Sequence, residues 1–530
     1  MAYRHATKAK AAWRIRMSQR LMSRRTFALS AAVAPLIGTG VASARAVGDW
    51  VRTETPGFVL YGDVGDQTLR DFARELEDFD GLLRTLHGAM ERSDGRPLPI
   101  YLVPHRSDLR RVKPDLDQAV GGFYSASVGD TFAVMSIEGG EDRGRGTLFH
   151  EYTHHFMSQH APAAYPSWLV EGYAEYFKTA RFKPDVVELG VTNERVAWLR
   201  GRIWEPYDQI LGRRALEGRD RDVDAFYAQS WVLTHYMMSD PDRLKRLTAY
   251  AGAVAAGGDP VGEMVTAAGM PLADLERTLK RYMGKLPGLR MPRPAPSATP
   301  AAVVRLPPSA DDLLLENQRL KMGVPPADRP AVLAMVRERA ARYPDDRLAD
   351  LVLARAENDF GDRAKAQAIL KRRIEADARD AEAIQMLGWS LMLQARADRP
   401  RAAVLLNEAR DWFGKGFAVD PNSPLLLYDY GISRRGEPGY PNDNAVNVLL
   451  RAQQLAPQVA AFRLAAADAL MRRDRFDEAA AILEPVFNNP HAGPERQQAR
   501  ARFEQAVARR RPTAPAPEPA DEDDKAAPAN

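Results

Sequence analysis

Cysteine is missing from all 530 residues, which excludes disulfides, thiol nucleophiles and thiolate metal sites together. Any metal must then be held by imidazoles and carboxylates. Charge of one sign is not in excess either: 74 Lys and Arg stand against 70 Asp and Glu, a net +4. Nothing in that balance asks for nucleic acid as a partner. No apolar run reaches the ~20 residues of a membrane-spanning helix, so no permanent membrane anchor is expected. Histidine is scarce as well, with nine in the chain, yet four of the nine fall between residues 150 and 160. What remains is ordinary for a globular protein: 45% hydrophobic and 27% charged residues, in a chain long enough for two or three compact units.

Residues 1–25 carry six Arg, two Lys and no acid. They lead into Ser23-Arg24-Arg25-Thr26-Phe27-Ala28-Leu29, which resembles the twin-arginine export motif. A short apolar segment follows, Ala28 to Val41, and then small-x-small cleavage sites at Ala42-Ser43-Ala44 or Ala44-Arg45-Ala46. The expectation is a signal peptide over 1–46 and a mature protein in the periplasm or outside the cell.

From 47 to 285 the patterning predicts an α+β domain. Strand-like runs occur at 58–61, 98–103 and 131–137, and Phe123-Tyr124 adds further strand material. Between the first two runs, Leu69, Phe72, Leu76, Phe79, Leu82, Leu83 and Leu86 recur at helical spacing. The chain then reads as mostly helical from 147 to 283, with Trp198 and Trp204 expected to build part of a cleft. Residues 286–310 are rich in proline and read as a semi-rigid extended linker. From 311 to 510 amphipathic helices recur in pairs, with breaks at Pro344, Asp380, Pro421, Pro457 and Pro490. Those separations lie near the ~34-residue period of tetratricopeptide (TPR) repeats, which residues 381–391 and 476–483 resemble. Residues 511–530, acidic and rich in Pro and Ala, read as a disordered tail.

The chemistry concentrates in Thr147-Leu-Phe-His150-Glu151-Tyr-Thr-His154-His155-Phe-Met157. On a helix, His150 and His154 project from one face and can converge on one ion. Glu151 lies ~100° further round the axis. Its carboxylate then stands beside the metal, where it can act as general base toward a metal-activated water. Leu148, Phe149, Tyr152 and Phe156 flank these residues, so the helix is expected to be largely buried, and buried ionisable groups need partners. His155 and His160 read as packing or surface residues. A second segment, Trp168-Leu-Val-Glu171-Gly-Tyr-Ala-Glu175-Tyr-Phe177, places two carboxylates four residues apart on one helical face.

Taken together, the two segments resemble the gluzincin metallopeptidases, more narrowly the peptidase MA-like group, whose fold is zincin-like. The resemblance implies Glu171 as third zinc ligand and Glu175 as the acid that orients a ligand histidine, with Glu175 as ligand the alternative. Ala225-Phe-Tyr227-Ala-Gln-Ser-Trp231-Val-Leu-Thr-His235 resembles the helix that packs behind the site in that family. Tyr227 is the first candidate for stabilising the oxyanion and His235 the second, against the plain reading of a core helix. The expectation is an exported peptidase with one Zn2+ per chain and a peptide or protein substrate, cell-wall peptide crosslinks included. Its repeats would bind a protein partner or the substrate. The rival is a non-catalytic repeat adaptor with a peptidase-like, peptide-binding domain.

Overall fold

The computed structural model describes residues 49–88, 95–118, 120–192, 194–212, 220–295, 300–489 and 493–509. The expected signal peptide (1–46) and tail (511–530) lie outside them. Short alternating runs pair into a hairpin, Val51–Glu54 (β1) with Phe58–Gly62 (β2), their inward residues buried and outward ones half-exposed. Helix α1 (Asp66–His87) buries Leu69, Phe72, Leu76, Phe79, Leu82 and Leu83 and carries the chain over to β3 (Leu98–Val103), which runs parallel to β2. After a short helix α2 (Arg106–Val112), β4 (Gly122–Ala126) and β5 (Thr131–Ser136) form an antiparallel hairpin, β5 lying parallel to β3.

Helix α3 (Glu141–His160) packs on the same side as α1, and α4 (Ser167–Phe177) packs against α3. A three-stranded antiparallel sheet takes β6 (Arg181–Phe182), β7 (Val186–Leu189) and β8 (Leu289–Pro292). Between β7 and β8 come α5 (Glu194–Leu199), α6 (Tyr207–Gly212), α7 (Asp220–Met238), α8 (Pro241–Ala255), α9 (Pro260–Ala268) and α10 (Leu272–Tyr282). One apolar core unites α1, α3, α4, the inner strands and α7–α10. Of the expected linker 286–310, the described residues 286–295 and 300–308 form no helix and are tied into the two sheets. β8 pairs with β7, and Val304–Arg305 (β9) pairs with β1 to complete a six-stranded mixed sheet, β4-β5-β3-β2-β1-β9.

The remainder is all α. Helix α11 (Ser309–Met322) has two apolar faces. Ala310, Leu314 and Leu315 pack on the sheet and on α2, with Tyr101, Phe132 and Leu109, while Leu313 and Leu320 pack with Val332, Val336 and Val352. After α12 (Arg329–Ala340), helices pair in succession. The pairs are α13 (Arg347–Phe360) with α14 (Arg363–Ala376), α15 (Ala381–Ala397) with α16 (Ala402–Val419), α17 (Pro424–Ser433) with α18 (Asp443–Leu455), and α19 (Ala460–Met471) with α20 (Phe476–Phe487). Helix α21 (Glu495–Ala508) closes the stack. Asp346, Asp380 and Ser423 cap α13, α15 and α17 through side-chain oxygens that accept backbone N–H groups. Asp380, one of the breaks read in the sequence, is such a cap. Gly388 permits close pairing of α15 with α16, because a Cβ there would stand 2.4 Å from the Phe413 ring. The fold class is the expected one: a mixed sheet with helices, followed by helical pairs resembling TPR repeats.

The repeats fold back onto the first domain. Val128, in the β4–β5 turn, packs against Val459, Phe462 and Tyr428. Gln159 donates to Gln458 at 2.8 Å, and Lys321 pairs with Asp130 at 2.8 Å. The first helices of the pairs (α13, α15, α17, α19) contact one another in a row, and this row faces the motif helix.

Candidate metal centre

The rotation of α3 is fixed by its packing. Phe149 stacks on Phe79 of α1 with centroids 4.0 Å apart, and Tyr152 donates to the buried Asp80 carboxylate at 2.7 Å. His150 and His154 are thereby turned toward α4. That helix is held by Trp168, whose indole N–H donates to Tyr250 at 2.8 Å, and by a close approach to α7 at Gly172. A Cβ on Gly172 would fall 2.3 Å from Thr234 Oγ1 and 2.5 Å from the Ser230 carbonyl oxygen, so only glycine lets α4 lie so near. Glu171 beside it is thus set at the depth of the two imidazoles.

His150, His154 and Glu171 come together as a buried triad, at 9, 9 and 0% exposure. The two Nε2 atoms are 3.1 Å apart, and each is 3.5 Å from Glu171 Oε2. Bonds of ~2.0–2.1 Å at tetrahedral angles place neighbouring ligand atoms ~3.3 Å apart, so this near-equilateral triangle fits one zinc ion. The donor chemistry fits too, with neutral imidazoles and a carboxylate and no thiolate. Glu175, 1% exposed, places Oε1 3.2 Å from His150 Nδ1, the nitrogen on the far side of the ring, and also pairs with Lys178 at 3.1 Å. Burial opposes a charge on His150, but hydrogen bonding to Glu171 and Glu175 outweighs it and raises the pKa to about 9.

Glu151 is half-buried on the adjacent face of α3. With His154 it lines a cavity of about 680 Å³ whose opposite wall is the row of first repeat helices. Tyr227 on α7 is half-buried, its ring centroid 6.2 Å from that of His150. His235, one face further along α7, is turned away: its ring nitrogens engage Tyr282 Oη at 2.7 Å and the Gly190 carbonyl at 3.0 Å. His155 meets Tyr124 Oη at 2.9 Å, and burial pushes its pKa down to about 3. His160 packs on Phe156. Trp204 packs into the core beside Tyr207, and neither it nor Trp198 lines this cavity.

The cavity's far wall was not foreseen. Asn358, Gln385 and Asp429 line it, all buried polar residues on the first helices of successive pairs. Their signal in the sequence was a polar residue inside an otherwise apolar helical face, recurring from pair to pair.

No family model matches the chain, and no curated protein matches it. Among solved structures it is similar to a thermophilic TPR protein of Thermus thermophilus, at 22% identity and a TM-score of 0.32, over 38% of this chain and 99% of that one. It is also similar to two structures of MamA, at 16 and 15% identity and a TM-score of 0.23 each. Those matches span 34% of this chain and 89 and 90% of theirs.

Proposed function

We propose that this protein is a zinc-dependent peptidase, with His150, His154 and Glu171 holding one ion per chain. The observation that carries the reading is the buried triangle of donor atoms at metal-ligand spacing, next to a further carboxylate that faces a cavity. When bound, zinc supplies Lewis-acid chemistry, lowering the pKa of water toward ~7 and polarising a carbonyl. Every other role falls to the chain itself. Glu171 and the two Nε2 atoms fix the centre, and Glu175 holds the His150 ring through Nδ1, leaving Nε2 as the donor. Glu151 takes the proton of the attacking water as its oxygen bonds to the peptide carbon, then returns it to the leaving nitrogen as the C–N bond breaks. Tyr227, beside His150, donates its phenolic hydrogen to the oxyanion that forms on the carbonyl oxygen.

The repeats bind the polypeptide substrate or a protein partner. The export motif at 23–29 supports action outside the cytoplasm, in the periplasm or beyond the cell. A non-catalytic adaptor would need the repeats but has no use for a carboxylate at 151. The discriminating experiment is digestion of a diverse peptide library by the mature protein, with and without prior chelation, read by mass spectrometry. Cleavage that chelation removes and zinc restores is expected. One zinc per chain without any cleavage would favour the adaptor.

A further inference from the structure

The cavity beside Glu151 has walls of unlike character. On the first domain, Met157, Ala161, Tyr165 and Val170 form a mostly apolar shelf. The repeat wall opposite mixes apolar residues with three cations, Lys321, Arg355 and Arg463, and three acids, Asp359, Asp429 and Glu495. Its cations are already engaged. Lys321 pairs with Asp130 at 2.8 Å, Arg355 with Glu382 at 2.9 Å, and Arg463 donates to the carbonyls of Pro457 and Ile482. Two buried acceptors on the same wall are engaged only in part, while the exposed Asp359 feels Arg355, Arg329 and Arg363. Asp429, 1% exposed, receives one hydrogen bond, from Gln385 Nε2 to Oδ2 at 2.6 Å, and forms no ion pair among the described residues. Arg396 attracts it only from beyond contact distance. Asn358, 3% exposed, donates through Nδ2 to the Met386 carbonyl at 3.4 Å, while its Oδ1 has no hydrogen-bond partner. Asp359 follows it and projects into the same space.

Asp429, buried with no cation in contact, is an incomplete ion pair, since a buried carboxylate is costly until a cation meets it. Burial raises Asp429 to a pKa of about 7 against the opposing pull of Gln385 and Arg396, so its charge is disfavoured until a cation meets it.

We propose that this cavity is the substrate cleft and that Asp429, with Asn358 and Asp359, forms a subsite for a lysine or arginine side chain of the polypeptide. The repeats thereby choose the target while the metal centre cuts it. This rests on the peptidase reading for the cut but not for the capture of the cation. The subsite sits on the first helices of three positions that the fold brings into line (α13, α15 and α17), with Gln385 bridging the last two.

The test uses full-length mature protein carrying Glu151→Gln and loaded with zinc. Fluorescence anisotropy then reads binding of two decapeptide pools, alike except for one fixed lysine or norleucine. The lysine pool is expected to bind about tenfold tighter, and Asp429→Asn should reduce that preference to about twofold or less. Asp359→Asn, at a position open to solvent, should lower it in part and does not depend on a buried substitution being tolerated. Equal binding of the two pools, or a preference that survives both substitutions, would overturn the subsite. The two readings also fail separately. If the lysine preference holds but zinc-loaded unsubstituted protein cleaves neither pool, the peptidase reading falls and the subsite stands. Cleavage of both pools at equal kcat/KM sinks the subsite alone.

Discussion

Replacing Glu171 and Glu175 in turn by glutamine should give losses of very different size. Glu171 Oε2 stands 3.5 Å from both Nε2 atoms, at the third corner of the donor triangle. An apparent zinc affinity of about 10–16 kcal/mol shared over three protein donors amounts to ~3–5 kcal/mol each. Losing one donor therefore weakens binding by more than ~100-fold. Glu175 touches the other nitrogen of His150, at 3.2 Å, and acts on the metal only by orienting that ring and raising its basicity. Groups in that position typically contribute about 10–100-fold, ~1.4–2.8 kcal/mol. Glutamine at 175 still offers an oxygen to Nδ1–H but gives up the charge and the ion pair with Lys178. Competition with a chromophoric chelator at neutral pH, on matched preparations, reads both affinities. A larger loss in Glu175→Gln than in Glu171→Gln would exchange the two roles. No loss in either would remove both carboxylates from the centre.

Four further outcomes are expected. Gly172→Ala forces α4 and α7 apart, since the added carbon would meet Thr234 Oγ1 and the Ser230 carbonyl. It should cost ~1–3 kcal/mol of stability, with Tm and zinc affinity falling together; an unchanged Tm would contradict the close packing. Tyr227→Phe should lower kcat by about 100-fold or more with KM little altered, and equal kcat in the variant would return Tyr227 to the core. With His150 at a pKa of about 9, apo protein carries its proton at pH 7.5, so zinc binding should release about one proton there and fewer as the pH passes 9. Calorimetry in buffers of different ionisation enthalpy reads that number. Burial lowers His87 and His235 to about 4, from an ordinary 6.5. The unfolded chain therefore takes up protons first, and stability present above pH 6.5 should be lost as pH falls toward 4, by roughly 1–3 kcal/mol per residue. Denaturation midpoints flat between pH 7 and 4.5 would refute that.

The elements legible in the sequence were those whose signal is local. The i, i+4 spacing of His150 and His154, the two carboxylates of α4, and the apolar periodicity of α1 and of most repeat helices each lie within one turn or one face. Strands β1, β6, β7, β8 and β9 were not seen. They are two to four residues long and owe their conformation to partners far along the chain, as when Val304–Arg305 pairs with β1. Helix α17 was also missed. Pro424-Leu-Leu-Leu-Tyr-Asp-Tyr-Gly-Ile-Ser433 shows little amphipathic contrast, because neighbouring pairs bury several of its faces. Helix α11 carries two apolar faces for two different cores, which blurs its periodicity in the same way. The depth of Glu171 could be guessed only from its neighbour Gly172, whose reason is a contact with α7. The far wall of the cavity arises from the return of the repeats onto the first domain, a tertiary event with no local signature. Trp204, expected at the cleft, was instead taken into the core by its size.

Whether Glu151 moves protons at a zinc site or merely stands beside one decides the proposed chemistry. Glu151→Gln keeps the shape of the side chain and leaves His150, His154 and Glu171 in place. Zinc content and peptide turnover should be measured on the same preparation of mature protein, with and without this substitution. The expected result is one zinc per chain in both, with turnover lost by at least about 100-fold in the variant. Full turnover in the variant, or a mature protein that holds no zinc, would contradict it.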